Sequence, residues 1–339
     1  MFVQPMTWLS VADEGPRATT RLRVSAAHAE WNHVGIALVA MREGFFAAEG
    51  LPEVELIGFP EESVGLTDRE DIQIDLLARG AVDVAIDPGT KFVLAAKQAG
   101  RPLCIVAARR TTHAFTVIGQ KGLKSVDDLR GMTLDMGNRG AAPEVMFREY
   151  LKDVGIEPDR DVTFVYSGGG MHDRTAHRAA FYAGRPVTMA ATREEVAELV
   201  AEGYPVLVDL GAVYPSRHDR ITAANEDFVR DHPEVLKAFL KGMIRGCNYV
   251  LEPSNRSRFE QIFRDSGFLI DEDDRENYAG LFAAWHARVS RDLALPREGI
   301  ERIVSEEKRA GNLPASFQVD DIVRLDALLQ AQTELGLRE

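Results

Sequence analysis

The stretch from Lys124 to Tyr166 constrains the fold more than any other part of the chain. Ser125 stands where a helix N-cap would, with Asp127 and Asp128 in the first turn, where carboxylates suit the positive end of a helix. Gly131 closes that short element, Met132–Met136 reads as a strand, and Gly137-Asn138-Arg139-Gly140 as the loop after it. Pro143 at a first helical position opens a helix over Glu144–Val154, whose Val145, Phe147, Tyr150, Leu151 and Val154 form an apolar stripe. Gly155 ends the helix, and Asp161–Tyr166 returns as a strand. This order makes a βαβ unit whose strand-to-helix loop turns free backbone N–H groups outward, an arrangement suited to an anion. The loop has few glycines and no lysine of the phosphate-binding kind, so a carboxylate suits it better than a phosphate.

A chain of 339 residues has room for two domains with cores of their own. Its 45% hydrophobic and 27% charged residues are those of an ordinary globular protein. A net charge of −13, with no basic stripe, argues against a nucleic-acid partner. The two cysteines, Cys104 and Cys247, sit in apolar contexts without disulfide or metal-binding spacing, and read as reduced buried thiols. No run is long and apolar enough for a membrane segment. Asp13, Glu14 and Pro16 interrupt the start before a secretory apolar run can form. Taken as written, the chain is expected in the cytoplasm, or in the periplasm if a leader has been removed.

Along the chain, Arg21–Ser25 reads as a first strand, followed by the polar cluster His28–His33 and a helix over Val34–Ala48. A strand at Val54–Phe59, a helix at Glu70–Ala78, a strand ending at Asp87, a helix at Lys91–Gln98 and a strand at Leu103–Ala108 follow. Beyond the opening stretch come a helix to Tyr182, a strand near Pro186–Ala191, a helix at Glu194–Ala201 and a strand at Pro205–Leu210. Amphipathic helices are expected over Phe228–Val250 and near Arg256–Arg264, Asp273–Trp285, Arg297–Ala310 and Val319–Leu335. Strands alternating with helices, then a helical tail, argue for open α/β sheets rather than a barrel.

Several phrases carry a family resemblance. They are GIALVAMREGFFAAEGL around the first helix, LLARGAVDVAI at the following helix-to-strand step, KSVDDLRGMTLDM in the opening stretch, and FVRDHPEVLKAFLKGMIRGCNYV over Phe228–Val250. Together they resemble the SsuA/THI5-like (NMT1/THI5) substrate-binding proteins over roughly residues 22–250. The resemblance implies the type II periplasmic-binding-protein fold: two open α/β lobes joined by two crossings. Residues 1–112 and 213–339 would form one lobe with the helical tail, and residues 113–212 the other. It implies binding of a small organic molecule, an anion or a heteroaromatic, and delivery to an ABC permease. No cofactor is expected, and the state would be monomer or homodimer. The runner-up is a cytosolic enzyme on the same scaffold, such as a decarboxylase or lyase acting on an aromatic carboxylate. There His28, His33 and Arg109 would be catalytic, with a divalent metal held by His28, Glu30 and His33.

Open α/β sheets bind ligands beyond the carboxyl ends of their strands. That rule selects His28, Glu30, Trp31, Asn32 and His33 after the first strand, and Asp87 and Thr90 after the third. Arg109 and His113 stand at the crossing; Asn138, Arg139 and Gly140, then Gly169 and His172, then Arg193 belong to the other lobe. Trp31 could lie flat on a ligand or plug the core. Arg139 could hold a carboxylate bidentately or simply face solvent. Thr90 could donate to a ligand or cap the helix that begins at Lys91.

Overall fold

A computed structural model describes residues 7–8, 21–26, 31–51, 53–58, 66–109, 115–137, 139, 142–167, 175–190, 193–217, 220–266, 282–283 and 285–338. The chain divides into two compact units. One is drawn from Met1–Thr111, Ser216–Ile270 and Arg288–Glu339, the other from Thr112–Pro215 and Asp271–Ala287.

The first unit begins with β1 (Thr7–Trp8), β2 (Leu22–Ala26), α1 (Trp31–Arg42), α2 (Phe45–Ala48), β3 (Val54–Gly58), α3 (Leu66–Ala78), β4 (Val84–Gly89), α4 (Thr90–Gln98) and β5 (Leu103–Ala107). The second contains β6 (Thr116–Gly119), β7 (Thr133–Asp135), α5 (Ala142–Asp153), β8 (Thr163–Val165), α6 (Thr175–Tyr182), β9 (Val187–Ala190), α7 (Arg193–Ala201), β10 (Val206–Asp209) and α8 (Leu210–Val213). The chain then resumes the first unit with β11 (Arg220–Asn225), α9 (Glu226–Asp231), α10 (Pro233–Leu251), α11 (Arg256–Asp265), α12 (Arg297–Arg309) and α13 (Asp326–Glu334).

In the first unit the strands run β1-β3-β2-β4-β11-β5. The β1–β3, β3–β2 and β2–β4 pairs are parallel, while β11 is antiparallel to both of its neighbours. Every residue of β4 and β5 is buried, as expected of strands covered on both faces. Helix α10 starts at Pro233, which suits a first helical position, and buries Leu236, Phe239, Leu240, Met243, Ile244, Cys247 and Val250. Beyond β5, the tail residues Ile322 and Arg324 bond to Ile105 (Ile105 N to Ile322 O, 2.8 Å; Arg324 N to Ile105 O, 2.9 Å). The tail thus covers what would be a bare strand edge. In the second unit β10-β6-β9 form an antiparallel sheet, and β7 and β8 pair in parallel.

The stretch read first from the sequence folds largely as expected. Lys124 N and Ser125 N donate to Asp128 Oδ2 at 2.7 and 3.0 Å, a capping box on the short helical turn Val126–Leu129. Leu134, Phe147, Leu151 and Ile156 enter the core. Val154 does not: it is 41% exposed, because the helix ends at Asp153 and the chain turns outward. Two further expectations are corrected. The first long helix begins at Trp31, not Val34, and breaks at Gly44, whose φ of 74° starts α2. Thr90 is not a cap: Gly89 holds that position, and Thr90 is the buried first residue of α4.

Both thiols are free and buried, and burial pushes each up to about 12. Native protein at pH 8 is therefore expected to leave both unlabelled by a thiol reagent over an hour, and to expose both in urea. Prompt labelling of the native protein would contradict their burial.

Candidate functional site

Polar side chains gather at the carboxyl end of β4. Asp87 lies at a bulge, since Arg220 pairs with Gly89 and Thr222 with Ile86, leaving two β4 residues opposite one. Its φ is 59°, in the left-handed region that Asp tolerates better than most residues. The bulge turns the carboxylate into the interior, where it is 3% exposed. Arg109 donates to it through Nε (3.3 Å to Oδ1) and Nη2, and His33 Nδ1 lies 2.9 Å from Oδ2. Arg220 Nη1 donates to the Asp87 carbonyl at 3.0 Å and to Glu70. Glu70 Oε2 in turn accepts from Gly89 N at 3.0 Å. Arg109, Asp87, Glu70 and His33 are all buried, so the charges are matched pairwise in an environment that would penalise any of them alone.

A second group lies at the ends of β7 and β8. Asp135 Oδ1 accepts from Gly137 N (3.1 Å), Ser167 N (3.1 Å) and Ser167 Oγ (3.0 Å). His177 Nδ1, on α6, is 3.6 Å from the same oxygen. At the start of α5 the buried Glu144 accepts from Arg148 Nε and from Tyr166 OH (3.1 Å). Arg148 also donates to Asp159 at 2.6 and 3.1 Å and to Tyr166 OH at 3.0 Å. Partial burial works against its charge, yet the bonds to Asp159, Glu144 and Tyr166 outweigh it and push its pKa up. Much of the anion-friendly character read from the loop is therefore used internally: Asp135 takes Gly137 N, and Glu144 sits at the helix N-terminus.

Of the residues selected from the sequence, His33, Asp87 and Arg109 come together, but as a buried network tied through Asp87. Trp31 and Asn32 fall in the first turn of α1, not in a loop. Arg139 is exposed, 6.0 Å over the Tyr166 ring. Arg193 is exposed at the first position of α7. His28, Glu30, His113, Asn138, Gly140, Gly169 and His172 lie outside the described residues. Of the three candidate metal ligands only His33 is described, and among the described residues no cluster of three or more His, Cys, Asp or Glu could hold a metal ion. Sequence reasoning missed Glu70, Arg220, Asp135 and His177. A usable signal existed for Asp135, a lone acid inside the apolar run Met132–Met136.

A sequence model described as NMT1/THI5 like matches residues 30–256, two-thirds of the chain. The chain belongs to the NMT1/THI5-like family. The bicarbonate transport ATP-binding protein CmpC of Synechococcus elongatus is 22% identical over 89% of this NMT1/THI5-like chain and 48% of its own length. The chain thus spans about half the length of the curated relatives it matches. Among solved structures, a putative periplasmic sulfonate-binding protein SsuA from Methylobacillus flagellatus superposes with a TM-score of 0.68 at 17% identity, covering 99% of this chain and 96% of that one. The Escherichia coli aliphatic sulphonate binding protein SsuA gives 0.65 at 15%, covering 91% and 92%. The periplasmic nitrate-binding protein NrtA of Synechocystis gives 0.60 at 16%, covering 93% and 89%. These likenesses establish the periplasmic-binding-protein fold for this family member. Among the described residues no helix is long and apolar enough to cross a membrane.

Proposed function

We propose that this NMT1/THI5-like protein binds a small organic molecule at the carboxyl ends of its strands and delivers it to an ABC permease. The observation that carries the reading is where polar groups gather: the buried Asp87–Arg109–His33 network frames the carboxyl end of β4, and Asp135, Ser167 and the exposed Arg139 stand at the carboxyl ends of β7 and β8. The names of similar proteins support the importer context, being bicarbonate transport, sulfonate binding and nitrate binding. That context supports a periplasmic location. The decarboxylase alternative gains nothing, since His33 and Arg109, which would have to face a substrate, both engage Asp87.

Arg139 is the cation best placed to meet an acidic group on the ligand. It is exposed, follows β7 closely, and makes no ion pair among the described residues. Mass spectrometry of gently purified and then denatured protein is expected to release a bound small molecule. Arg139→Ala should weaken calorimetric binding of that molecule by ~1.5–3 kcal/mol, the range for hydrogen bonds to charged groups. Unchanged affinity would remove Arg139 from the site. The absence of any bound or bindable small molecule would overturn the function itself.

A further inference from the structure

The second unit is an insertion in the first. The chain leaves the first unit after β5 and re-enters it at β11, with Thr112–Pro215 between them. β5 and β11 are neighbours in the sheet, Thr222 pairing with Ala107. An insert of about a hundred residues, once unfolded, would hold its ends roughly 50–60 Å apart, about ten times the spacing of paired strands. Any opening of the second unit therefore pulls on β5 and β11. Both pulled ends are gripped by one stretch of tail, residues 290–309. On the outgoing side, Ala108 N donates to Leu293 O at 3.0 Å, and Arg109 O accepts from Ser290 N at 2.8 Å. That turn is tied down in its own right. Asn248 Nδ2 on α10 donates to Arg291 O at 2.7 Å, and Gln332 Nε2 on α13 donates to Asp292 O at 2.9 Å. On the returning side, Ser216 O lies against Gly299, too close for a Cβ to fit between them. Arg217 Nη2 is 3.1 Å from Glu306 Oε2, both side chains being buried, and Glu306 Oε1 accepts from Arg302 Nε at 3.1 Å.

We propose that residues 290–309 form a clasp that uncouples the two units. The clasp passes the pull of the insert into α10, α12 and α13, so the second unit can open while β11 stays paired with β4 and β5. Without it, the returning end would transmit that pull straight into β11, whose loss would split the sheet between β4 and β5. The clasp operates with or without a ligand.

The test is native-state hydrogen exchange of the full chain, read by mass spectrometry over a series of urea concentrations below the unfolding transition. In wild type, peptides of β11 should lose protection together with those of β2 and β3, and at a different urea concentration from those of β6 and β9. Arg217→Met removes the ion pair while leaving Glu306 its bond to Arg302. In that variant β11 should exchange roughly 10-fold or more faster at the urea concentration where β6 and β9 open, with β2 and β3 still protected. Leu56→Ala, buried in β3 away from the clasp, is the control for plain destabilisation. It should lower protection across the first unit and leave β11 in step with β2 and β3. If wild-type β11 opens with β6 and β9, or if all these strands open together, the inference is overturned. It is equally overturned if β11 in folded Arg217→Met stays in step with β2 and β3. Should Arg217→Met not fold, Arg217→Lys, which keeps a charge but loses the planar fork, carries the same comparison with the same outcomes.

Discussion

Asp87→Ala is expected to destabilise the protein by ~3–5 kcal/mol, the range for breaking a buried ion pair by removing one partner. Arg109 would be left buried without its counter-ion, and His33 without the carboxylate 2.9 Å from its Nδ1. The backbone adds to the effect, since alanine suits a φ of 59° less well than aspartate does. Against a usual domain stability of ~5–15 kcal/mol this is a large fraction, and should appear as a clear drop in the urea midpoint. Asp87→Asn separates the two contributions, because asparagine tolerates the left-handed region but carries no charge. It should retain part of what alanine loses. A midpoint for Asp87→Ala within ~1 kcal/mol of wild type would mean that the network contributes little to folding.

Gly299→Ala should be comparably damaging, for a different reason. Gly299 lies in the first turn of α12, and a Cβ there would collide with the carbonyl oxygen of Ser216. That oxygen belongs to the backbone, so no rotamer change relieves the clash. The same helix grips the next residue, with Arg217 Nη2 3.1 Å from Glu306 Oε2 and both side chains buried. Alanine's better helix propensity offers at most ~1 kcal/mol, while overpacking typically costs ~1–3 kcal/mol and more when backbone must move. A net loss of about 2–3 kcal/mol is expected from urea denaturation. A wild-type midpoint would show that the close approach of α12 to Ser216 does not exist in solution.

Much of this architecture was legible in the sequence, because periodicity and punctuation reflect local physics. The Ser125 cap, the β7–α5–β8 order, and the stripe of α10 beginning at Pro233 all follow from residue spacing. What failed to show depended on partners distant in the chain. Thr90 looked like a cap until Gly89, held by Glu70 nineteen residues earlier, took that place. The loop after β7 looked like an empty anion nest, but Asp135, two residues before Gly137, fills part of it, and its reach to Ser167 on the neighbouring strand's exit was not local. The site suffered most: Asp87 and Arg109 were picked as ligand contacts from position alone, whereas a bulge turns them toward each other. The strand β11, RITAAN, was missed altogether, running directly into the helix after it.

That missed strand has a consequence for how the protein is made. β11 lies between β4 and β5 and is antiparallel to both, yet more than a hundred residues of the second unit separate it from β5 in the chain. During synthesis from the N-terminus, the sheets of the second unit can close once β10 has left the ribosome. The first unit, although begun earlier, must wait with a gap at its centre until residue 225 emerges. The half of the molecule that is translated first is therefore the half that finishes second, and its unpaired β4 and β5 edges are the surfaces a nascent-chain chaperone would have to guard.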